Sequence, residues 1–226
     1  MRNVFRAVAL IYITLICHTA LAQEASRYEN LVVTGVDLYS NGEYAAAKDV
    51  FKTVMHGDPS NDAAMYYLGL IAVYENDIEL AETYMMSAVS LDPANFWYRH
   101  RLAKLYAITD RQELAVDMYE KLLKDFPKEH DVYFELVEMY AAQEEYEKAL
   151  ETIDEIEEVV GVTESLAMYR FNILRVMERY EEAYESLRKY NSRYSSPYVL
   201  TTLADYEMSM YNDSTALAYY DEALSL

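Results

Sequence analysis

Three groupings of side chains in this 226-residue sequence could carry chemistry: scattered histidines, runs of carboxylates, and one knot of cations. No two of His56, His100 and His130 stand at i, i+4, and neither an HExxH pattern nor a Cys/His cluster accompanies them, so no metal site is expected. Glu129-His130-Asp131 is a compact polar triplet whose simplest role is to cap a helix in a turn. Glu144 to Glu158 holds eight acids. General acid or base catalysis needs one carboxylate set apart in a cleft with its pKa displaced, and an acidic run is most simply a solvated helix face. Phosphate-cradling glycine loops and a GxSxG elbow are missing too, so the sequence predicts no catalytic residue and no cofactor. The cations are more specific. Arg99, His100, Arg101 and Lys104 fall within six residues of a chain of formal charge −20, with 19 Lys+Arg against 39 Asp+Glu. They could pair with a carboxylate on a partner, or satisfy acids such as Glu135 and Glu138 inside the molecule. So large an acid excess excludes a generic nucleic-acid or anionic-lipid binder, which needs clustered Lys/Arg to displace counterions.

The elements that must position these groups are helices. With 53% hydrophobic residues but only 5 Gly and 4 Pro, the chain can bury a core and has few turn formers. Its start is different. Arg2 and Arg6 precede an apolar run from Ala7 to Cys17 and then Ala20-Leu21-Ala22, the n-region, h-region and small-x-small order of a signal peptide. The run is shorter than the roughly 20 residues that span a bilayer, and the bulky Ile16 before Cys17 disfavours lipidation there. We expect residues 1–22 to be removed, leaving an exported, periplasmic or cell-envelope-associated protein that begins at Gln23. The only cysteine leaves with them, so stability must come from packing.

A period of 34 residues organises the remainder. Pro59, Pro93 and Pro127 are 34 apart, and each closes a similar phrase, such as Asn76-Asp77-Ile78-Glu79-Leu80-Ala81 before Pro93. The phrase alanines Ala47, Ala81, Ala115, Ala149, Ala183 and Ala216 are spaced 34, 34, 34, 34 and 33. Twelve residues before the first three stand Gly35, Gly69 and Ala103. Each copy resembles a tetratricopeptide repeat, a pair of antiparallel helices A and B. The resemblance implies an all-α, right-handed α-solenoid of about six helix pairs, with repeats at 28–61, 62–95, 96–129, 130–163, 164–196 and 197–226. Small residues suit the point where two helices cross, because a larger side chain would push the axes apart. Phe51, Met85, Tyr119, Ile153, Leu187 and Tyr220 mark the apolar stripe of B. Repeats four and five depart from the pattern, with Val137 and Phe171 at the small position and Gly161 and Ser195 in place of Pro. Asp110 with Glu113 is expected to form a capping box, and Asn191 to Pro197 is expected to be the most loop-like stretch.

In such repeats the A helices line a groove that receives extended or helical peptides. The resemblance carries this role onto Val32, Val36 and Tyr39; onto Tyr66, Leu70, Val73 and Tyr74; and onto Trp97, His100, Lys104 and Ile108, with Arg101 alongside. Phe134 and Glu138, then Met168, Asn172 and Arg175, then Tyr198 and Asp205 continue the series. No repeat combines Lys at its fifth position with Asn at its ninth, so a carboxylate clamp is not expected. The implied function is a non-catalytic scaffold in the cell envelope that binds a protein or peptide partner. The alternative is the targeting or substrate-presenting segment of a larger envelope enzyme continuing past residue 226. The last helix, around Tyr220, Ala223 and Leu224, has an apolar side that needs cover from further chain, a partner or a second copy.

Overall fold

The computed structural model describes residues 26–226, so the expected signal peptide lies outside the described residues. Twelve α-helices and, among those residues, no strand make up the structure. They are α1 (26–40), α2 (Tyr44–Gly57), α3 (Asp62–Tyr74), α4 (Ile78–Leu91), α5 (Phe96–Ile108) and α6 (Gln112–Asp125). Then follow α7 (His130–Ala142), α8 (Tyr146–Val160), α9 (Glu164–Val176), α10 (Tyr180–Tyr194), α11 (Pro197–Ser209) and α12 (Asp213–Ser225). Odd-numbered helices are the A members of the repeat and even-numbered ones the B members. The chain forms two compact units, one ending at Leu105 and the other running from Tyr106 to Leu226.

Each A helix ends on one residue in the left-handed region: Gly42, Asn76, Asp110, Glu144, Glu178 and Tyr211, with φ between 59° and 81°. Around it two hydrogen bonds close the turn. In the second repeat Asn76 N donates to Val73 O at 3.0 Å and Asp77 N to Ala72 O at 2.9 Å, capping two orphan carbonyls of α3. The same pair recurs as Glu144 N to Ala141 O at 3.1 Å and Glu145 N to Tyr140 O at 2.9 Å. Five of the six left-handed residues are not glycine, so each such turn carries roughly 1–2 kcal/mol of local strain that the packing offsets. This turn overrules the expected capping box. Asp110 is the left-handed residue after α5, the N-cap position of α6 is Arg111, and no side-chain cap forms there.

The passage from B to the next A helix is tied by side chains instead. Asn61 accepts from Ala64 N at 2.9 Å, and Thr163 and Ser196 do the same for Leu166 N and Val199 N at 3.3 Å. Such caps contribute about 1 kcal/mol each. The stretch expected to be loop-like is mostly helix: α10 runs on to Tyr194, only Ser195 and Ser196 intervene, and Pro197 opens α11. Pro197 fits there because the first turn of a helix needs no donor from it.

Within the first unit, Ala47, Phe51 and Val54 of α2 pack with Ala64, Leu68 and Ile71 of α3 in one buried cluster. Gly35 and Gly69 sit where the spacing places small residues. A Cβ on either would come within 2.7 Å of Phe51 or 2.8 Å of Met85. In the second unit successive helices from α6 to α12 pack on one another. Tyr119, Ile153, Ile156, Leu166, Leu187, Leu200 and Leu203 are fully buried there. The bulky Val137 and Phe171 are accommodated at the small position of repeats whose own B residues are Ile153 and Leu187, and both are buried.

Candidate peptide-docking faces

The candidate residues divide between the two units. Tyr66, Leu70, Val73, Tyr74, Trp97, His100, Arg101 and Lys104 belong to the first, and Asn172 and Arg175 to the second.

The first unit carries a connected row of rings. Tyr74 meets Tyr44 at 4.2 Å between centroids, Tyr44 meets Tyr39 at 5.2 Å, and Tyr39 meets Tyr67 at 5.2 Å. Tyr67 meets Tyr66 at 5.3 Å, and Tyr66 meets Tyr98 at 4.8 Å. Edge-on and tilted contacts of this kind suit the ring quadrupole and hold each ring in one orientation. The Tyr98 hydroxyl donates to Asp62 at 3.1 Å. Burial pushes the Tyr98 phenol far up, reinforced by the Asp62 charge. Burial also raises the phenols of Tyr39 and Tyr66, and the Arg101 guanidinium, hydrogen-bonded to Tyr66, opposes the rise.

Two of the expected groove residues are therefore not surface residues. Tyr66 is buried because Tyr98 of the next repeat lies against its ring and Ala88 packs in the same cluster. His100 is buried because its ring stacks on Phe96, one turn earlier, at 5.1 Å. Tyr98 is buried as well. Leu70 and Val73 are half-buried, and Leu70 packs against the Tyr66 and Tyr98 cluster. Arg99, His100 and Lys104 each engage other groups of the protein. What remains outward is Tyr74, 68% exposed, Trp97, 60% exposed, and the exposed Arg101. Among the described residues Arg101 makes no ion pair; its polar partner is the Tyr66 hydroxyl. The chemistry offered is a cation held by the Tyr66 hydroxyl, with the amphipathic ring of Trp97 one turn earlier on α5 and that of Tyr74 at the end of α3.

In the second unit Asn172 and Arg175 are both exposed on α9. The Arg175 guanidinium lies 5.4 Å from the centre of the Phe171 ring. It borders a cavity of about 840 Å³ whose walls include Phe171, Tyr180, Asp205, Tyr206 and Met210. Tyr206 and Met210 carry no signal in the 34-residue frame, whereas Tyr180 shares the packing position of Tyr44 and Tyr146 and is nevertheless exposed. The available hint was Phe171 itself, a bulky residue at a position that is small in the first three repeats. The acids expected to form a solvated face are partly paired: Glu145 with Lys148, Glu147 with Arg179, and both Asp154 and Glu157 with Arg170. Arg179 also grips Glu182 and holds that carboxyl below the usual range. Glu138 accepts from the Tyr169 hydroxyl at 2.6 Å, and Glu135 takes the Tyr119 hydroxyl. No group of three or more His, Cys, Asp or Glu side chains among the described residues is placed to hold a metal ion. No described helix is long and apolar enough to cross a membrane.

Comparison with known proteins gives a consistent result. A family model described as tetratricopeptide repeat matches residues 33–96 and 102–158. A TPR repeat-containing protein of Methanocaldococcus jannaschii is 26% identical over 140 residues, which is 62% of this chain and 24% of that protein. The chain thus spans about a quarter of the length of that curated relative. A tetratricopeptide repeat protein from Parabacteroides merdae superposes with a TM-score of 0.66 at 21% identity, covering 88% of this chain and 79% of its own. Pseudomonas aeruginosa pilF superposes with a TM-score of 0.62 at 17% identity, covering 85% and 88%. At these identities the structural likeness speaks to the fold alone.

Proposed function

Because the chain belongs to the tetratricopeptide repeat family, we propose that it is a non-catalytic scaffold, exported and acting in the cell envelope, that holds a segment of a partner protein. Stacked repeats present extended surfaces rather than enclosed clefts, and such surfaces suit peptide segments. The observation that carries this reading is the outward trio of the first unit, Tyr74, Trp97 and Arg101, in a chain that is otherwise strongly acidic. Tyr, Trp and Arg are the residue types that dominate binding hot spots, because they combine large contact area with a directed polar group. The partner segment is one that places a carboxylate on Arg101 and an apolar residue on Trp97, one turn earlier on α5, with Tyr74 at the end of α3 as a separate apolar contact. Export rests on Arg2, Arg6, the apolar run to Cys17 and Ala20-Leu21-Ala22. The acid excess disfavours nucleic acid as a partner.

The test is affinity capture from envelope extracts with the wild-type protein and with the Trp97→Ala, Arg101→Glu double variant, read by quantitative mass spectrometry. A partner retained by the first and lost by the second, with helicity unchanged, supports the assignment. Equal recovery by both proteins refutes this face as the docking site.

A further inference from the structure

The face of α9 that carries Ala167, Arg170 and Leu174, at i, i+3 and i+7, points away from Asn172 and Arg175 and floors another cavity of about 730 Å³. Its walls are α8 and α10, and α9 packs on both. One repeat earlier, the positions of Ala167 and Leu174 are held by Tyr133 and Tyr140, and the matching cavity between α6 and α8 is about 490 Å³. Both tyrosines are buried. Where the fourth repeat has two rings, the fifth has a methyl and an isobutyl group, and the groove over α9 is correspondingly deeper.

Six carboxylates and four cations line this cavity, and most of them cancel. Arg179 holds Glu147 of α8 and Glu182 of α10, Arg170 holds Asp154 and Glu157 of α8, and Glu185 takes Arg188. Three lining charges are left with no hydrogen bond or ion pair among the described residues: Glu151 on the α8 wall, and Lys189 and Arg193 on the α10 wall. Lys148, one turn before Glu151, is itself paired with Glu145. The two cationic positions are particular to this repeat. In the other five they read Thr53 and Gly57, Ser87 and Leu91, Lys121 and Asp125, Glu155 and Val159, and Glu222 and Leu226, so both are basic on α10 alone.

A lone anion on Lys189 and Arg193 would leave Glu151 unanswered, and a lone cation on Glu151 would leave the two bases unanswered. The ligand these walls satisfy carries both signs. As B helices of successive repeats, α8 and α10 run parallel, and Glu151 stands level with Glu185. Lys189 and Arg193 follow four and eight residues later, about 6 and 12 Å along the axis at ~1.5 Å per residue. An extended peptide of two or three residues covers ~7–11 Å, which places its amino group on Glu151 and its carboxylate on the two bases. Leu150, Val162, Ala167 and Leu174 supply apolar surface for its side chains. A chain passing through without ends would instead set its amides against helices whose backbone groups are already paired internally. We propose that the cavity between α8 and α10 binds a short apolar peptide of two or three residues with both termini free. This site is separate from the docking face of the first unit.

Isothermal titration calorimetry of the full chain with the tripeptide Leu-Ala-Leu tests this. Saturable binding is expected, weakened about threefold by N-acetylation of the peptide and about threefold by C-terminal amidation, as for exposed ion pairs. Glu151→Gln should remove the first difference alone, and Lys189→Gln with Arg193→Gln the second alone. All three side chains are exposed, so these variants keep the fold. Ala167→Tyr with Leu174→Tyr, which installs the residues of the fourth repeat, should abolish binding with helicity unchanged. If that pair unfolds the chain, the charge variants decide by themselves. Absence of saturable binding overturns the proposal, whether the cavity is simply solvated or is taken by another segment of this chain. Equal affinity of the free peptide and either capped form, or cap differences that persist in the charge variants, overturns it as well.

Discussion

Replacing Gly35 by Ala sets two opposed effects against each other, and the structure decides the sign. Alanine in a helix interior is favoured over glycine by about 1 kcal/mol. Its Cβ, however, would lie 2.7 Å from Cε1 and Cζ of Phe51 and 3.1 Å from Cδ1. Carbon atoms at rest sit about 3.5–4.0 Å apart, so ring or helix must retreat by about 1 Å. The ring has nowhere to go, because Phe51 is wholly buried and lies parallel to Tyr67 at 5.1 Å with a 6° tilt. Overpacking of this kind costs about 1–3 kcal/mol. The expected net effect of Gly35→Ala is a loss of about 1 kcal/mol, or a fall of roughly 2–4 °C in Tm for a chain of this size. Thermal and urea unfolding followed by circular dichroism would measure it. Phe51→Leu removes the obstruction, so Gly35→Ala introduced into that background should stabilise, giving a favourable coupling of about 1–2 kcal/mol between residues in contact. Stabilisation by Gly35→Ala alone, or additive effects of the two changes, would refute the close-packing account of the small position.

Other consequences can be checked separately. Tyr211 is 92% exposed and holds φ at 62°, so Tyr211→Gly should relieve about 1 kcal/mol of backbone strain at little packing cost and raise the unfolding midpoint. The reverse applies at Gly161, where φ is 80° and no atom crowds a Cβ: Gly161→Ala should lower the midpoint through backbone strain alone. The Tyr169 phenol is pushed up to about 12, first by its hydrogen bond to Glu138 and then by burial. A raised phenol favours the fold while protonated, so its contribution is full below pH ~10, the unfolded value, and is lost as pH rises towards 12. Absorbance titration of wild type against Tyr169→Phe, with stability measured across that window, should show the loss in wild type and a flatter profile in the variant.

The helix pairs were legible because their determinants are periodic. Alanines spaced by 34 and 33 residues, glycines twelve residues before two of them, and apolar stripes at three, four and seven each report a local packing need. The groove was less legible, because exposure on an A helix depends on which ring arrives from the neighbouring repeat. Nothing in the spacing of Tyr66 announces Tyr98 against it, whereas Phe96 beneath His100 is an i, i+4 neighbour on the same helix that the spacing does contain. Tyr74 meets Tyr44 and Trp97 meets Phe96, yet neither contact covers the ring, and both stay exposed. The turns after the A helices were hidden for another reason. Asn76, Asp110, Glu144, Glu178 and Tyr211 share a backbone conformation and no side-chain chemistry, so Asp110 passed for a helix cap.

Those turns also explain where the repeat tolerates a change of length. Between A and B the path is over-determined by one left-handed residue and two backbone hydrogen bonds, and the six left-handed residues keep the same spacing as the alanines that follow them. Between B and the next A helix the same position is filled by Pro59, Pro93, Pro127, Gly161 or Ser195, and the single missing residue of the fifth repeat is absorbed there. An inserted tag or protease site would therefore be better accommodated at Tyr194-Ser195, both exposed, than at Tyr211-Asn212, where it would break the pairing of helices.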